Sequence, residues 1–486
     1  MPGKVTQLFI SGQWVEGEGD ERKIVNPANG DVIDAVRDAT PDQVSDAISA
    51  ALNAFERTDW ATNVKRRIDV LRRTADAVHQ RADEIARIET ENTGKPIREA
   101  RLDVEDSITC LHYYADLVEN RTPWTKTMPD GTTSRVVEEP VGVTGLIVPW
   151  NFPLLLAVWK LAPALAAGNT VILKPSELTP LSIARLTDLL HASGLPEGAF
   201  NLVLGGGEVG QGIVRDPRVD KVSFTGSVAT GQAVYAQCAE TLKRVSLELG
   251  GKSPLIIFDD IDLDHAAEWM MFGSFFNQGE VCVAASRILV HERIFKPFTE
   301  RLIQRAQNIN IGDPLSEETE LGPLVSASHL AKVQSYVEIG KHEGARCLFG
   351  GEALEQKPGY FFQPTVFVDV KQDMRIVQEE IFGPVATVQP FQHEEEAIAL
   401  ANGTKYGLAA GILTNDTDRA ERVASQIKAG TIWINGYHTP YVEAPWGGFK
   451  FSGMGRELGP HGLAHYVEYK HVNARPKFDQ LGWYSS

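Results

Sequence analysis

From Gly142 onward the chain alternates short β-branched runs with helical segments, and this alternation constrains the fold more than any other feature of its 486 residues. Residues 143–148 read as a strand, 154–165 as an apolar helix, 170–173 as a second strand and 182–193 as a second helix. Residues 201–204 and 221–224 repeat the strand pattern, and a second α/β series begins at 254–258 and runs past Asn435. Such alternation predicts an α/β fold with open, mainly parallel sheets, which bind ligands at the carboxyl ends of their strands.

Upstream, residues 8–35 read as short strands with turns at Asn26-Pro27 and Asn29-Gly30. Val44, Ala47, Ala51 and Phe55 then recur at helical spacing, helices continue to about Val118, and 122–140 is extended and polar. The length predicts two or three domains. A net charge of −17 makes nucleic acid an unsuitable partner. The most apolar stretch, 143–173, is broken by Pro149, Asn151, Pro153, Lys160, Pro163 and Asn169, so no bilayer span is expected. Residues 1–14 lack a basic segment followed by an apolar run, so no signal peptide is expected either. Cys110, Cys238, Cys282 and Cys347 lie far apart, which suggests neither a disulfide framework nor a metal site and points to a reducing, cytoplasmic setting.

Gly205-Gly206-Gly207-Glu208-Val209-Gly210 fits the dinucleotide pattern G-x-G-x-x-G after a strand. That pattern also wants an acidic residue about twenty positions on, at the end of the next strand. Here the next strand ends in Phe224-Thr225-Gly226-Ser227, so a glycine-rich entry to a helix explains the glycines about as well.

Six other segments are more specific in combination. They are Pro149-Trp150-Asn151-Phe152-Pro153, Lys174-Pro175-Ser176-Glu177, Phe224-Thr225-Gly226-Ser227, Glu248-Leu249-Gly250-Gly251-Lys252, residues 277–282, and Glu379-Glu380-Ile381-Phe382-Gly383-Pro384. In this order and spacing they resemble the aldehyde dehydrogenase superfamily over essentially the whole chain. The resemblance implies NAD-dependent oxidation of an aldehyde to a carboxylate.

The implied roles make chemical sense. A free carbonyl carbon is a poor hydride donor, so Cys282 supplies a thiolate, forming a thiohemiacetal and then a thioester. The Asn151 amide and the Cys282 backbone N–H would stabilise the oxyanion, and Glu248 would be the base for hydrolysis. The bland alternatives are helix capping by Asn151 and an ion pair of Glu248 with Arg244. For NAD, the resemblance implies Lys174 and Glu177 at the adenosine ribose and Ser227 with the nearby backbone at the pyrophosphate, with Ser176, Gly207 and Gly226 also in contact with the cofactor. It implies Glu380 at the nicotinamide ribose, Phe382 near the ring, and contacts from Ile147, Trp150 and Leu249.

Residues 433–457 are similar to betaine aldehyde and aminoaldehyde dehydrogenases, where aromatic faces surround an ammonium group. The matching positions are Phe152, Trp159, Phe276 and Trp446, with Tyr441 as an addition. Phe152 and Phe276 stand where tyrosine and tryptophan are common, and phenylalanine makes a weaker cage. Glu99, Asp103 and Asp106 share one face of a helix and resemble an acidic row at a tunnel mouth, or a solvated face. Betaine aldehyde is the expected substrate, with aminoaldehydes or a broad range of aliphatic and aromatic aldehydes as the alternative.

The resemblance also implies a Rossmann-type NAD-binding domain from 1–117 and 141–250 and an α/β catalytic domain at 251–450. A small β oligomerisation arm at 118–140 and 465–486 would build a homodimer or homotetramer. Two rivals remain at this stage: a cysteine hydrolase without cofactor, and a non-catalytic protein on the same fold.

Overall fold

A computed structural model describes residues 7–484; residues 1–6 and 485–486, which the sequence places in the first domain and the arm, lie outside the described residues. Strands Val143–Ile147 and Thr170–Lys174 are buried at every position, as expected for parallel strands covered on both faces. With Phe200–Leu202, Lys221–Thr225 and Arg244–Glu248 they form the parallel centre of an eight-stranded sheet. An antiparallel hairpin, Gln7–Ile10 and Gln13–Glu16, extends one edge, and Gly453–Met454 closes the other beside Leu247 and Glu248.

A second, seven-stranded sheet runs in the order 346–349, 365–368, 385–391, 287–291, 254–257, 409–413, 431–434. Only its first strand is antiparallel. Val467–Ala474, Thr133–Pro140 and Thr125–Thr127 form a separate antiparallel sheet.

Local chemistry explains the helix that opens the first layer. Pro41–Arg57 begins with a reciprocal cap between Thr40 and Gln43. Val44, Ala47 and Ala51 are buried, while Ala54 takes the buried place the spacing had offered to Phe55. Helix Pro153–Ala167 is buried at every position, so it runs through the core and can hold Lys160 there only with a partner. No helix among the described residues is long and apolar enough to cross a membrane.

The chain passes from the first sheet to the second at Gly250 and Gly251. A Cβ at Gly250 would lie 2.1 Å from Glu380 Oε2, and one at Gly251 would lie 2.3 Å from the Cys282 carbonyl oxygen. Glycine is required where three distant segments meet this closely. The carboxyl ends of strands 143–147, 221–225 and 244–248 open onto that meeting point.

Candidate active site

Cys282 sits on a loop whose backbone is unusually constrained. Asn277, Gln278 and Gly279 are three successive left-handed residues, with φ of 47°, 56° and 71°. Such a conformation persists only where the surroundings over-determine it. Here the Asn277 N–H donates to Glu99 Oε2 at 2.8 Å, and its side-chain amide donates to the Asn151 carbonyl at 3.0 Å. The Val325 N–H donates to Glu280 Oε1 at 3.0 Å. Glu99, Asn277 and Glu280 are all buried.

This loop places Cys282 on the walls of two cavities, one of about 290 Å³ and one of about 140 Å³. Leu156 is the only other residue shared by both linings. Burial pushes the Cys282 thiol well above its ordinary range, and the nearby Glu380 and Glu248 carboxylates add to the shift. The thiol therefore needs a base.

Glu248 lines the smaller cavity with Cys282. It is 5 % exposed, and neither carboxylate oxygen has a hydrogen-bond partner in the protein. Burial, reinforced by the charge of Glu457, raises its pKa well above the usual carboxylate range. The alternative ion pair with Arg244 does not form; that guanidinium binds Glu468 instead. Behind Glu248, Glu457 pairs with the fully buried Lys160, whose Nζ also lies 3.3 Å from Ser223 Oγ.

The Asn151 side-chain amide donates to the Glu280 carbonyl at 2.8 Å. A carboxamide has two N–H donors, so one remains for the cavity that Asn151 shares with Cys282. Asn151 does not cap the next helix, whose N-cap is Phe152 and which has no side-chain cap bond.

Five predicted cofactor residues, Gly226, Ser227, Leu249, Glu380 and Phe382, line the cavity that holds Cys282 and Glu248. Ser227 caps helix Val228–Ala239, accepting from the Thr230 N–H at 3.2 Å. Glu380 Oε1 accepts from the Gly251 N–H at 3.0 Å, and burial pushes its carboxyl up to about 7. Phe382 has φ of 65°, and Trp150 meets it edge to face at 5.2 Å.

Lys174 pairs with Ile147 across the parallel strands, so both lie at the carboxyl edge of the sheet. Its Nζ donates to the Pro175 carbonyl at 2.7 Å and lies 3.9 Å from Glu177 Oε2. Burial lowers the Lys174 ammonium to about 8. Ser176 is buried and its hydroxyl accepts from the Leu178 N–H at 3.2 Å, an arrangement that serves the local turn. Gly207 opens helix Gly207–Arg215 and lines a further cavity of about 470 Å³ beside Arg22 and Asp38. That helix packs on two of the predicted cofactor residues: a Cβ on Gly210 would lie 3.6 Å from the Lys174 side chain and 3.7 Å from that of Ile147. Two carboxyl groups, an ammonium and a Ser-capped helix end suit a dinucleotide with ribose hydroxyls and a pyrophosphate.

The larger cavity is aromatic. Phe152 and Phe276 are stacked at 6.4 Å, and Trp159 meets Trp446 edge to face at 5.3 Å. Tyr441 is a correction: its side chain is 65 % exposed and absent from the lining, because the chain turns outward after Pro440. Phe272 and His438 take part instead. Phe272 lies one helical turn before Phe276, a spacing that offered a signal. His438 has φ of 65°, which no local pattern foretold; burial lowers its imidazole to about 4, so it is neutral.

The acidic row is divided. Asp103 and Asp106 line the aromatic cavity, but Glu99 faces inward to the Asn277 amide and does not. Asp103 is paired with buried Lys95, whose Nζ lies 4.1 Å from the centre of the Phe152 ring.

Residues 14–472 match the profile of the aldehyde dehydrogenase family. A chloroplastic aminoaldehyde dehydrogenase of Arabidopsis thaliana is 45% identical, covering 100% of this chain and 99% of its own. The betaine aldehyde dehydrogenase of Bacillus subtilis is 43% identical, with 99% of each chain covered. The solved structure of betaine aldehyde dehydrogenase from Staphylococcus aureus in complex with NAD+ matches with a TM-score of 0.96. It is 42% identical, and the match covers 100% of this chain and 98% of that one.

Proposed function

The chain belongs to the aldehyde dehydrogenase family, and we propose that it is an NAD-dependent enzyme that oxidises a small cationic aldehyde, foremost betaine aldehyde, to the carboxylate. The observation that carries this reading is the position of Cys282 between a cavity that holds Asn151, Glu248 and Glu380 and an aromatic one. Bound NAD supplies the hydride acceptor. Glu248, whose raised pKa and free oxygens suit a base, takes the Cys282 proton or that of a water. The thiolate adds to the carbonyl carbon, giving a thiohemiacetal whose oxyanion is met by the free Asn151 N–H and the Cys282 backbone N–H. Loss of hydride leaves a thioester on Cys282, and water activated by Glu248 releases the acid.

Lys174, Glu177, Ser227, Glu380 and Phe382 hold the cofactor, with Ile147, Trp150, Ser176, Gly207, Gly226 and Leu249 completing its bed. The segments from 7–117 and 141–250 serve as the NAD-binding domain and 251–450 as the catalytic domain.

Trp159 and Trp446 offer aromatic faces to an ammonium, and Asp106 offers a carboxylate at the same cavity, Asp103 being taken up by Lys95. A trimethylammonium cannot donate hydrogen bonds and suits aromatic faces. A primary ammonium can donate to a carboxylate, so Asp106 favours aminoaldehydes as the second reading. The separate sheet at 125–140 and 467–474, with Phe478, Leu481 and Trp483 exposed beyond it, supports assembly as a homodimer or homotetramer. Four free cysteines suit a reducing compartment such as the cytoplasm.

NADH formation should be measured with betaine aldehyde, a primary aminoaldehyde, hexanal and benzaldehyde. A kcat/KM highest for betaine aldehyde is expected. A hexanal preference would overturn the cationic assignment, and no NADH with any aldehyde would overturn the activity.

A further inference from the structure

We propose that His329 is a positioning residue that clamps the cofactor wall of the cleft to the loop carrying Cys282. The inference rests on the reading of Cys282 and Phe382 above. His329 lies in the first turn of helix Ala327–His342, where the Ser326 cap accepts the His329 N–H at 3.2 Å and seats it. Its imidazole Nε2 donates to the Phe382 carbonyl at 2.6 Å and lies 3.5 Å from Glu280 Oε1. Its ring meets Trp150 at 5.0 Å and Phe382 at 6.1 Å, both edge to face.

One side chain thus touches all three pieces of the wall. Phe382 is bulky and left-handed, a conformation that needs external support. Glu280 belongs to the loop, and its carbonyl holds the Asn151 amide at 2.8 Å. The loop in turn packs directly on the Phe382 segment: a Cβ on Gly279 would lie 2.3 Å from the Gly383 carbonyl. Burial pushes the imidazole down to about 4, so near neutrality it carries a single ring proton, and the Phe382 carbonyl fixes that proton on Nε2. No ring donor is then left for substrate or for Glu280, which the neutral ring meets by packing alone, and the role is to bond Phe382 and wedge its ring against Trp150 and Glu280.

His329→Leu keeps an apolar filler but removes the donor, whereas His329→Gln keeps a donor. NAD affinity should be measured by quenching of protein tryptophan emission, alongside steady-state kinetics. His329→Leu should weaken NAD binding by about fivefold and lower kcat by about tenfold, with KM for the aldehyde nearly unchanged. His329→Gln should restore NAD affinity to within about twofold. Wild-type affinity and kcat in His329→Leu, or a His329→Gln no better than His329→Leu, would overturn the clamp. If His329→Leu fails to fold, Ser326→Ala, which removes the cap on His329 together with one hydroxyl contact to Ser328, should weaken NAD binding by about twofold, and unchanged binding would overturn the proposal. The binding readout is independent of aldehyde oxidation, so failure of the clamp and failure of the enzymatic reading separate cleanly.

Discussion

The two walls that meet at Cys282 are built from opposite materials. On the side we assign to the cofactor, a buried carboxylate and a buried imidazole hold backbone in strained conformations through long-range hydrogen bonds, Glu99 to Asn277 and His329 to Phe382. On the aldehyde side, Phe152, Trp159, Phe276 and Trp446 meet face and edge, and Trp159 Nε1 is buried with no partner. Directional bonds in a low-dielectric setting fix geometry and are costly to break, whereas aromatic contact is adjustable. The first wall is therefore suited to invariant chemistry and the second to the choice of substrate.

The contrast predicts where substitution hurts most. Cys282→Ala, at the junction, should lower turnover by at least about 10³-fold while NAD binding persists, measurable by tryptophan quenching. Robust turnover would mean that the sulfur is not the nucleophile.

Glu248→Gln on the polar wall should lower steady-state turnover by about 10²–10⁴-fold. Rapid-mixing measurements sharpen the assignment: an NADH burst that then stalls marks a role in hydrolysis alone, and loss of the burst marks thiol activation as well. Because burial raises the Glu248 pKa, its basic form accumulates at higher pH than that of an ordinary carboxylate, so wild-type activity should rise with pH over a range displaced upward from the usual carboxylate one. A flat profile from acid to alkaline pH would break that link.

Cofactor choice should respond less. Glu177 offers a carboxylate where a 2′-phosphate would meet like charge, so NAD should exceed NADP by about tenfold to a hundredfold in kcat/KM. Lys174 beside it gives the phosphate some compensation. Equal efficiencies would show that Glu177 turns away.

On the aromatic wall, Trp446→Leu should weaken betaine aldehyde relative to its neutral isostere 3,3-dimethylbutanal by about two- to thirtyfold, since it removes one cation-binding face. Equal losses for both would reduce this wall to a plain apolar tunnel. Asp106→Asn should have the smallest effect, about twofold on the cationic substrate at low salt and less at high salt.

Some of this was legible in the chain itself. The α/β alternation and the order of the motifs were, because burial on two faces makes a strand continuously apolar and a turn that approaches a ligand demands glycine. The roles read for Asn151, Glu248 and Cys282 came from the resemblance those motifs carry, because a lone amide, carboxylate or thiol equally serves as a cap, an ion-pair partner or a buried filler. Helical periodicity likewise placed Glu99, Asp103 and Asp106 on one face.

Periodicity says which residues share a face but not what that face meets. Glu99 turned to an amide 178 positions away, Asp103 took Lys95 as a partner, and Asp106 stayed at the cavity. Tyr441 turned outward, and His438 turned inward on a left-handed backbone. Each of these outcomes depends on segments far apart in sequence packing to close contact. Local propensity fixes a residue's own turn of helix or strand; only the folded chain decides which distant group satisfies a buried charge or fills the space beside it.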